Sequence, residues 1–346
     1  IKNCQIIFNT YSNYLNYTVR LNKCVMDSCV LKNNKTYYNS TICAENNSEV
    51  TNCEIEGNSS YNNYIGSYFN SSKISNCKFV KTSGAGAGVE LRNASVMRDC
   101  QFEGNTNVNN QIIYAADDNV LVEDCKIRNN TSTRNSFIYL SNSKINRCQI
   151  TDNTVSSNVI ESYNSKAKIS NCLICDNTCP ESYRTIYIYG GVSMINCTVA
   201  RNVTKNANVI YMYNSTLKNS IIVGNTTNSN YSNTLAKDGT NTIKNNMFEG
   251  TFVDGNMDGS MAYAAFTDAE NGDYSLSSNS YCINAGEDVA DSLDLYGKAR
   301  KQGGAVDMGA IESSHTKAPV LKSNEIVYVK SGSNGDGTSW ESAFGD

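Results

Sequence analysis

The sequence predicts an all-β fold, a parallel β-helix solenoid of about ten rungs of 23–25 residues with a C-terminal cap. A cysteine returns at that interval, with an apolar residue three places before it, another two places after it and an asparagine five places after it. A turn-type residue also occurs every six to eight positions, which leaves no room for a helix. The repeating cysteines are Cys4, Cys29, Cys53, Cys77, Cys100, Cys125, Cys148, Cys172 and Cys197, followed by Ser220 in the same place.

Each rung is predicted to contain three short strands. One of them is visible in Ile210-Tyr-Met-Tyr-Asn214, where period-two alternation directs Ile210 and Met212 inward and Tyr211 and Tyr213 outward. A turn residue that tolerates left-handed backbone follows this strand. It recurs at Asn46, Asn70, Asn93, Asn142, Asn164 and Asn214, with Asp117 and Gly190 as substitutes.

The asparagine five places after the cysteine predicts a second feature, a ladder of side chains that hydrogen-bond along the solenoid. We assign these residues a structural role at a turn and no binding role. They are Asn9, Asn34, Asn58, Asn105, Asn130, Asn153, Asn177, Asn202 and Asn225, with Thr82 as the exception.

The repeat defines the domain organisation. The β-helix is expected over residues 1–313, with rungs in 1–250 and a cap in 251–313 that covers the edge of the last rung. Residues 314–325 are predicted to be a linker, and residues 326–346 to begin a new, incomplete unit with a strand pattern at Ile326 to Lys330. Because Ile1 to Cys4 already fit the repeat, the chain is expected to be part of a longer protein.

Composition and charge exclude several classes of function. A formal net charge of −4 gives no electrostatic basis for binding nucleic acid, and no run of 18 apolar residues predicts a membrane span. The single histidine, His315, lies in the predicted linker, which argues against a Ser–His or Cys–His nucleophile and against a zinc site.

The 14 cysteines allow more than one redox state. A stacked column of inward thiols packs as a series of small hydrophobic groups, and we therefore expect free thiols. Disulfides between neighbouring rungs, or a pair between Cys175 and Cys179, remain alternatives.

Several motifs resemble those of known proteins. Cys100-Gln-Phe-Glu-Gly-Asn105 and Cys125-Lys-Ile-Arg-Asn-Asn130 are similar to the repeats of right-handed parallel β-helix surface proteins, including polymorphic outer-membrane-type and adhesin-like proteins. The segments 266–276 and 280–286, followed by Asp294, Gly297, Arg300 and 307–312, resemble the C-terminal end of pectate-lyase-like β-helix domains. Residues 327–345 look like the N-terminal start of such a domain, which implies that 326–346 are the start of a following β-helix unit. The resemblance also implies a right-handed solenoid in an extracellular or cell-surface protein.

No catalytic residues are predicted. A β-helix lyase or hydrolase needs converging carboxylates, whereas the outward acids Glu45, Glu90 and Glu161 lie two or more rungs apart. A polysaccharide-active enzyme therefore stays an alternative. No metal or cofactor is predicted either. The run Asp254, Asn256 and Asp258 matches the first half of a calcium loop, but Ala265 occupies the position of the bidentate acid, so a glycine-rich turn is favoured.

The outward tyrosines are the most suggestive candidates for binding. Tyr114, Tyr139, Tyr187 and Tyr211 are predicted to share one column, and Tyr163, Tyr189 and Tyr213 the next. Exposed aromatic surface can contact a glycan or a partner protein, which favours an adhesin-like, non-enzymatic function. Tyrosine is also a good strand former, so a structural stalk without a ligand is a further alternative.

Overall fold

The computed structural model describes residues 1–7, 9–10, 17–37, 40–60, 66–84, 88–107, 111–133, 136–181, 184–205, 208–227, 233–249 and 255–315. Short parallel strands stack into a parallel β-helix of about nine turns, which confirms the predicted fold class. Apart from Ser314 and His315, the predicted linker and the predicted following unit lie outside the described residues.

Each full rung contains four strands instead of the three that were predicted. The additional strand is only two residues long and consists mostly of serine and threonine, so it lacks the apolar alternation that marks a strand in sequence. The strands of successive rungs pair in register and form four parallel sheets, numbered I to IV in the order in which one rung passes through them.

The strands of the four sheets have the following bounds. Sheet I contains Val19–Asn22, Ile42–Glu45, Ser67–Asn70, Val89–Arg92, Ile113–Ala116, Ile138–Ser141, Ile160–Tyr163, Ile186–Tyr189, Asn208–Tyr213 and Asn233–Asp238. Sheet II contains Val25–Asp27, Glu49–Thr51, Lys73–Ser75, Val96–Arg98, Leu121–Glu123, Lys144–Asn146, Lys168–Ser170, Ser193–Ile195, Thr216–Lys218 and Thr242–Lys244. Sheet III contains Gln5–Ile7, Val30–Lys32, Glu54–Glu56, Lys78–Val80, Gln101–Glu103, Lys126–Arg128, Gln149–Thr151, Leu173–Cys175, Thr198–Ala200, Ile221–Val223, Met247–Phe248 and Met257–Asp258. Sheet IV contains Lys35–Thr36, Ser59–Ser60, Ser83–Gly84, Thr106–Asn107, Thr131–Ser132, Thr154–Val155, Thr178–Cys179, Val203–Thr204 and Thr226–Thr227.

The core is a column of stacked apolar side chains inside the solenoid. In sheets II and III the middle residue of each strand points inward, and like residues meet in register. Phe79 pairs with Phe102, for example, with the ring centroids 4.7 Å apart and the planes 4° from parallel. The in-register stack buries apolar surface continuously along the solenoid, which is the main source of its stability.

Two corners of each rung follow one rule. A residue with left-handed backbone begins the corner. The side chain of the next residue points inward and accepts a hydrogen bond from the backbone N–H of the equivalent residue in the preceding rung. The residue before each repeating cysteine has a φ of 50–55°. Asn177 Oδ1 accepts from Asn153 N at 3.1 Å, and Cys148 Sγ accepts from Cys125 N at 3.4 Å. Ser220 Oγ takes over this role from cysteine, accepting from Cys197 N at 3.1 Å.

The predicted asparagine ladder is present, and its members are buried from Asn34 to Asn202. The predicted turn residues are left-handed as expected, with one exception. Asn70 is the last residue of its strand and pairs with Arg92, while Ser71 has the left-handed φ of 49°. The prediction for Asn70 was wrong because the corner in this rung is only two residues long.

The cysteines are free thiols, and the column from Cys29 to Cys197 is buried. Cys4 is the exception to the inward column: its thiol is exposed because this described rung has a neighbour on one side only. Cys175 and Cys179 are both buried without a disulfide between them. Cys175 lies on the outer face of sheet III, where residues from the C-terminal part of the chain cover it.

The segment predicted as a cap packs mainly on the side of the solenoid. Residues 255–313 form the strand Met257–Asp258, the helix Met261–Ala264, the 3₁₀ turn Ala269–Asn271 and the hairpin Phe266–Asp268 with Asp273–Leu276, followed by irregular chain. Within residues 255–313, only the strand Met257–Asp258 continues a sheet of the solenoid, by pairing with Met247–Phe248. Most of the rest lies on the outer face of sheet III, against Leu173, Cys175, Ala200, Ile221 and Val223, and Glu287 and Asp291 reach lysines of sheet II. We call residues 255–313 the lateral cover.

The charged residues that carried the C-terminal resemblance form a buried cluster in the lateral cover. The Arg300 guanidinium donates to the carbonyls of Asp307, Gly309 and Ala310, and its Nε lies 3.8 Å from Glu312 Oε2. Asp294, Asp307 and Glu312 accept backbone N–H groups, and all four side chains are at most 2% exposed. Their geometry identifies them as a structural lock for irregular chain.

Candidate functional site

The outward tyrosines of sheet I lie in the two predicted columns. In one column Tyr114 pairs with Tyr139 and Tyr187 pairs with Tyr211, with Glu161 between the two pairs. In the next column Tyr163, Tyr189 and Tyr213 pair in succession. We call these seven residues the tyrosine band. Their role in binding stays a prediction.

The rings of the band form a continuous series of contacts. Tyr187–Tyr211 and Tyr189–Tyr213 are stacked, with centroids 5.1 and 4.5 Å apart and planes within 9° of parallel. The Tyr114–Tyr139 pair is stacked in the same way, at 4.8 Å. Tyr163 joins the two stacks through tilted contacts of 5.7 Å to Tyr139 and 5.8 Å to Tyr187. Because stacked rings cover one another's faces, the band presents mainly ring edges and hydroxyls to a ligand.

Arginines contact both ends of the band. The Arg92 guanidinium lies 4.6 Å from the centroid of Tyr114, and the Arg184 guanidinium lies 4.6 Å from that of Tyr211 and 5.2 Å from that of Tyr187. Such cation–π contacts fix the terminal rings. Sequence reasoning did not select either arginine, because only the folded arrangement brings them over the rings.

Acidic residues fix the hydroxyls at two points. The Tyr163 hydroxyl donates to Glu161, and burial together with this carboxylate raises the pKa of Tyr163. The Tyr211 hydroxyl donates to Asp238 at 2.8 Å, and this bond raises the pKa of Tyr211. Burial also raises the pKa of Tyr139 and of Tyr187. These hydroxyls therefore stay protonated at neutral pH. Those of Tyr163 and Tyr211 donate their only hydrogen to the acids and can accept a further hydrogen bond from a ligand.

Tyr68 belongs to the same column but was not predicted. It pairs with Glu90, which pairs with Tyr114, so Tyr68 lies two rungs before Tyr114. Because Asn70 was assigned to a corner, the predicted strand is shifted by one residue. That shift wrongly predicts an inward side chain for Tyr68. Counting the corner as two residues, as at Asn142 and Ser143, is the signal that would have found it.

The outward acids do not form a catalytic pair. Glu90 and Glu161 occupy one column, separated by the rungs of Tyr114 and Tyr139. Three rung steps of about 4.8 Å place them about 14 Å apart. Glycosidase carboxylates lie about 5–9.5 Å apart. Glu90 is also paired with Arg92 at 2.6 Å, and Glu45 with Arg20 at 2.9 Å.

Two residues of the suggested calcium loop, Asn256 and Asp258, lie in the described part of the chain. Asp254 lies outside the described residues. The Asn256 side chain continues the inward corner column: its Oδ1 accepts from Asn246 N and its Nδ2 donates to Ile243 O at 2.9 Å. Asp258 is exposed on the last strand of sheet III. Over the described ranges, no three His, Cys, Asp or Glu side chains are grouped as for a metal ion.

No helix in the described part of the chain is long and apolar enough to cross a membrane. The helix Met261–Ala264 of the lateral cover has four residues.

Part of the chain matches a family model, and solved structures show a distant similarity to it. Residues 40–204 match the family model described as "Right handed beta helix region", which gives the solenoid the predicted right-handed sense. Among solved structures, the chain is similar to pectate lyase Pel9A, with 13% identity over 89% of this chain and 87% of that chain and a TM-score of 0.49. It is also similar to the A-module of the mannuronan C-5 epimerase AlgE6 of Azotobacter vinelandii, with 13% identity over 63% of this chain and 89% of that chain and a TM-score of 0.21. A search of curated protein sequences found no match.

Proposed function

We propose that this right-handed parallel β-helix is a non-enzymatic repeat region of a secreted or surface-anchored protein, and that its tyrosine band binds a ligand in an adhesin-like manner. The ligand is a glycan or the surface of a partner protein. The observation that supports this proposal is the continuity of the band, in which seven outward rings contact one another over five successive strands of sheet I.

The chemistry of the band suits such a ligand. Ring edges and carbon-bound hydrogens supply apolar contact, and the protonated hydroxyls supply hydrogen bonds at a regular rung spacing of about 4.8 Å. Contacts with Arg92 and Arg184 hold the terminal rings in place, which lowers the entropy lost when a ligand binds. Tyr189, the most exposed member at 39%, lies near the centre of the second column.

The separation of Glu90 and Glu161 favours binding over polysaccharide cleavage. A polysaccharide-active lyase or hydrolase remains the competing function, and it predicts new unsaturated or reducing ends when the protein is incubated with acidic or neutral polysaccharides in the presence of calcium. We expect none. Product formation above that of a heat-denatured control would replace the binding proposal with an enzymatic one.

A glycan array and a panel of surface proteins test binding directly. The quadruple variant Tyr187→Ser, Tyr189→Ser, Tyr211→Ser and Tyr213→Ser removes both stacked pairs at one end of the band. We expect binding to fall at least tenfold. The matched control is Tyr263→Ser with Tyr296→Ser, because these tyrosines of the lateral cover are each 51% exposed and lie outside the band.

Changing the same four tyrosines to phenylalanine separates the two kinds of contact. Phenylalanine keeps the stacked rings and removes the hydroxyls, so loss of binding in this variant assigns recognition to hydrogen bonds. Equal binding by the serine variant and the unaltered protein would exclude the band. Absence of binding to every glycan and protein would instead support a structural stalk.

A further inference from the structure

The corner between sheets I and II varies in length from rung to rung. It has three residues after Glu45 and again after Arg92, but only two, Ser71 and Ser72, in the rung between them. The shorter corner is therefore recessed between two longer ones. We call this place, with Asn47 on one side and Ala94 on the other, the open recess.

The open recess is a cleft of about 400 Å³. It is lined by Asn47, Glu49, Ser71, Ser72, Lys73, Asn93, Ala94 and Val96. The volume lies within the range of about 300–1,000 Å³ that small-molecule sites occupy. The lining combines amide and hydroxyl groups with a small apolar surface.

Another recessed corner differs from the open recess by an ion pair that crosses it. Asn142 and Ser143 also form a two-residue corner between longer ones, but Lys166 donates to Asp118 across it and closes it.

We propose that the open recess binds a single neutral sugar, one pyranose unit. Two charged residues line the recess, and Lys73 Nζ lies 3.3 Å from Glu49 Oε1. Their net charge is zero, which argues against an anionic or cationic ligand. Sugar hydroxyls need both donors and acceptors, and Ser71, Asn47 and the charged pair supply them. Ala94 and Val96 supply the apolar contact for the carbon-bound hydrogens of the ring.

This site is separate from the tyrosine band. It lies at a corner, whereas the band lies on the outer face of sheet I, and the two share no residue. The nearest connection is Arg92, which precedes Asn93 and covers Tyr114. The inference therefore does not rest on the proposed function of the band.

The test uses saturation-transfer NMR on the full chain. The probes are the methyl glycosides of glucose, galactose, mannose and N-acetylglucosamine at millimolar concentration. The closing variant is Asn47→Asp with Ala94→Lys, which reproduces across the open recess the ion pair of Lys166 and Asp118. The chain already holds lysine at left-handed corners, at Lys23 and Lys81, so the new lysine is compatible with the φ of 59° at Ala94.

We expect at least one glycoside to bind the unaltered chain and the closing variant to weaken it at least tenfold. The control Lys166→Ala, which opens the other recess, should not weaken this binding, and the quadruple tyrosine-to-serine variant should leave it unchanged. Ala94→Lys alone serves as a second closing variant if the double variant does not fold. The proposal is overturned if no glycoside binds, if closing the recess has no effect, or if the tyrosine variant abolishes binding.

Discussion

Asn177 offers the sharpest test of how the solenoid is held together. Its Oδ1 accepts from the backbone N and from Nδ2 of Asn153 at 3.1 and 2.9 Å. Its Nδ2 donates to Ile150 O at 2.8 Å, to Cys175 O at 3.0 Å and to Asn202 Oδ1 at 2.9 Å. The side chain is 0% exposed. The two hydrogens of Nδ2 are shared among three acceptors, and Asn177→Ala removes all of these contacts at once.

The expected loss follows from what remains unpaired. The backbone N–H of Asn153 loses its acceptor in a place that water does not reach, which costs about 1–3 kcal/mol. Nδ2 of Asn153 keeps its bond to Ile127 O, and Asn202 Oδ1 keeps the backbone N–H of residue 177, so these groups add little. With the net loss of the other bonds, we expect the free energy of unfolding to fall by about 3 kcal/mol.

Urea unfolding followed by circular dichroism measures this change. The control is Asn22→Ala, which removes one exposed hydrogen bond with Asn46 and should change stability by less than about 0.5 kcal/mol. Asn177→Thr should recover part of the loss, because Thr82 occupies the same ladder and donates to Asn105 Oδ1 at 2.7 Å. A cost for Asn177→Ala no larger than that for Asn22→Ala would refute the role assigned to the ladder.

Three further outcomes are expected. Arg300→Met leaves Asp294, Asp307 and Glu312 buried without their cation, so thermal unfolding should show a loss of about 3–5 kcal/mol, and an unchanged midpoint would contradict the lock. Burial raises the pKa of Glu312 to about 7, above the unfolded value of 4.5, so its contribution to stability is present below pH 4.5 and decreases as pH rises towards 7. Glu312→Gln should flatten the pH dependence of the unfolding free energy in that interval, and an unaltered slope would exclude Glu312 as its source. Maleimide labelling of the folded chain should modify Cys4 and Cys24, the two exposed thiols of 14, and rapid modification of further cysteines would contradict the buried column.

The sequence was sufficient to predict the solenoid because its period is carried by buried corner residues. A cysteine or asparagine at such a corner must both fit inside and accept a backbone N–H, and this double requirement keeps the repeat regular along Cys148 and Asn177. The two-residue strands of sheet IV carry no apolar alternation, so they could not be recognised in the same way.

The lateral cover was placed at the end of the solenoid because its own sequence lacks the repeat. A signal for its true position exists in sheet III. The outward residues of this sheet are polar at Lys126 and Gln149 and then become apolar at Leu173, Ala200 and Ile221. An outer face that turns apolar needs a cover on that side. The tyrosine columns were predictable from alternation, whereas the positions of Arg92 and Arg184 depend on three-dimensional contacts.

The lateral cover also determines how the protein should respond to mechanical force. Its ion pairs join segments far apart in sequence: Lys168 with Asp291, Arg201 with Glu270, and both Lys218 and Lys244 with Glu287. These ion pairs and the apolar contacts beneath them join the last four rungs to one another through the lateral cover. When the chain is pulled from its ends, the uncovered rungs should unfold one at a time, each releasing about 24 residues of contour length. The four covered rungs should then unfold together in a single larger step.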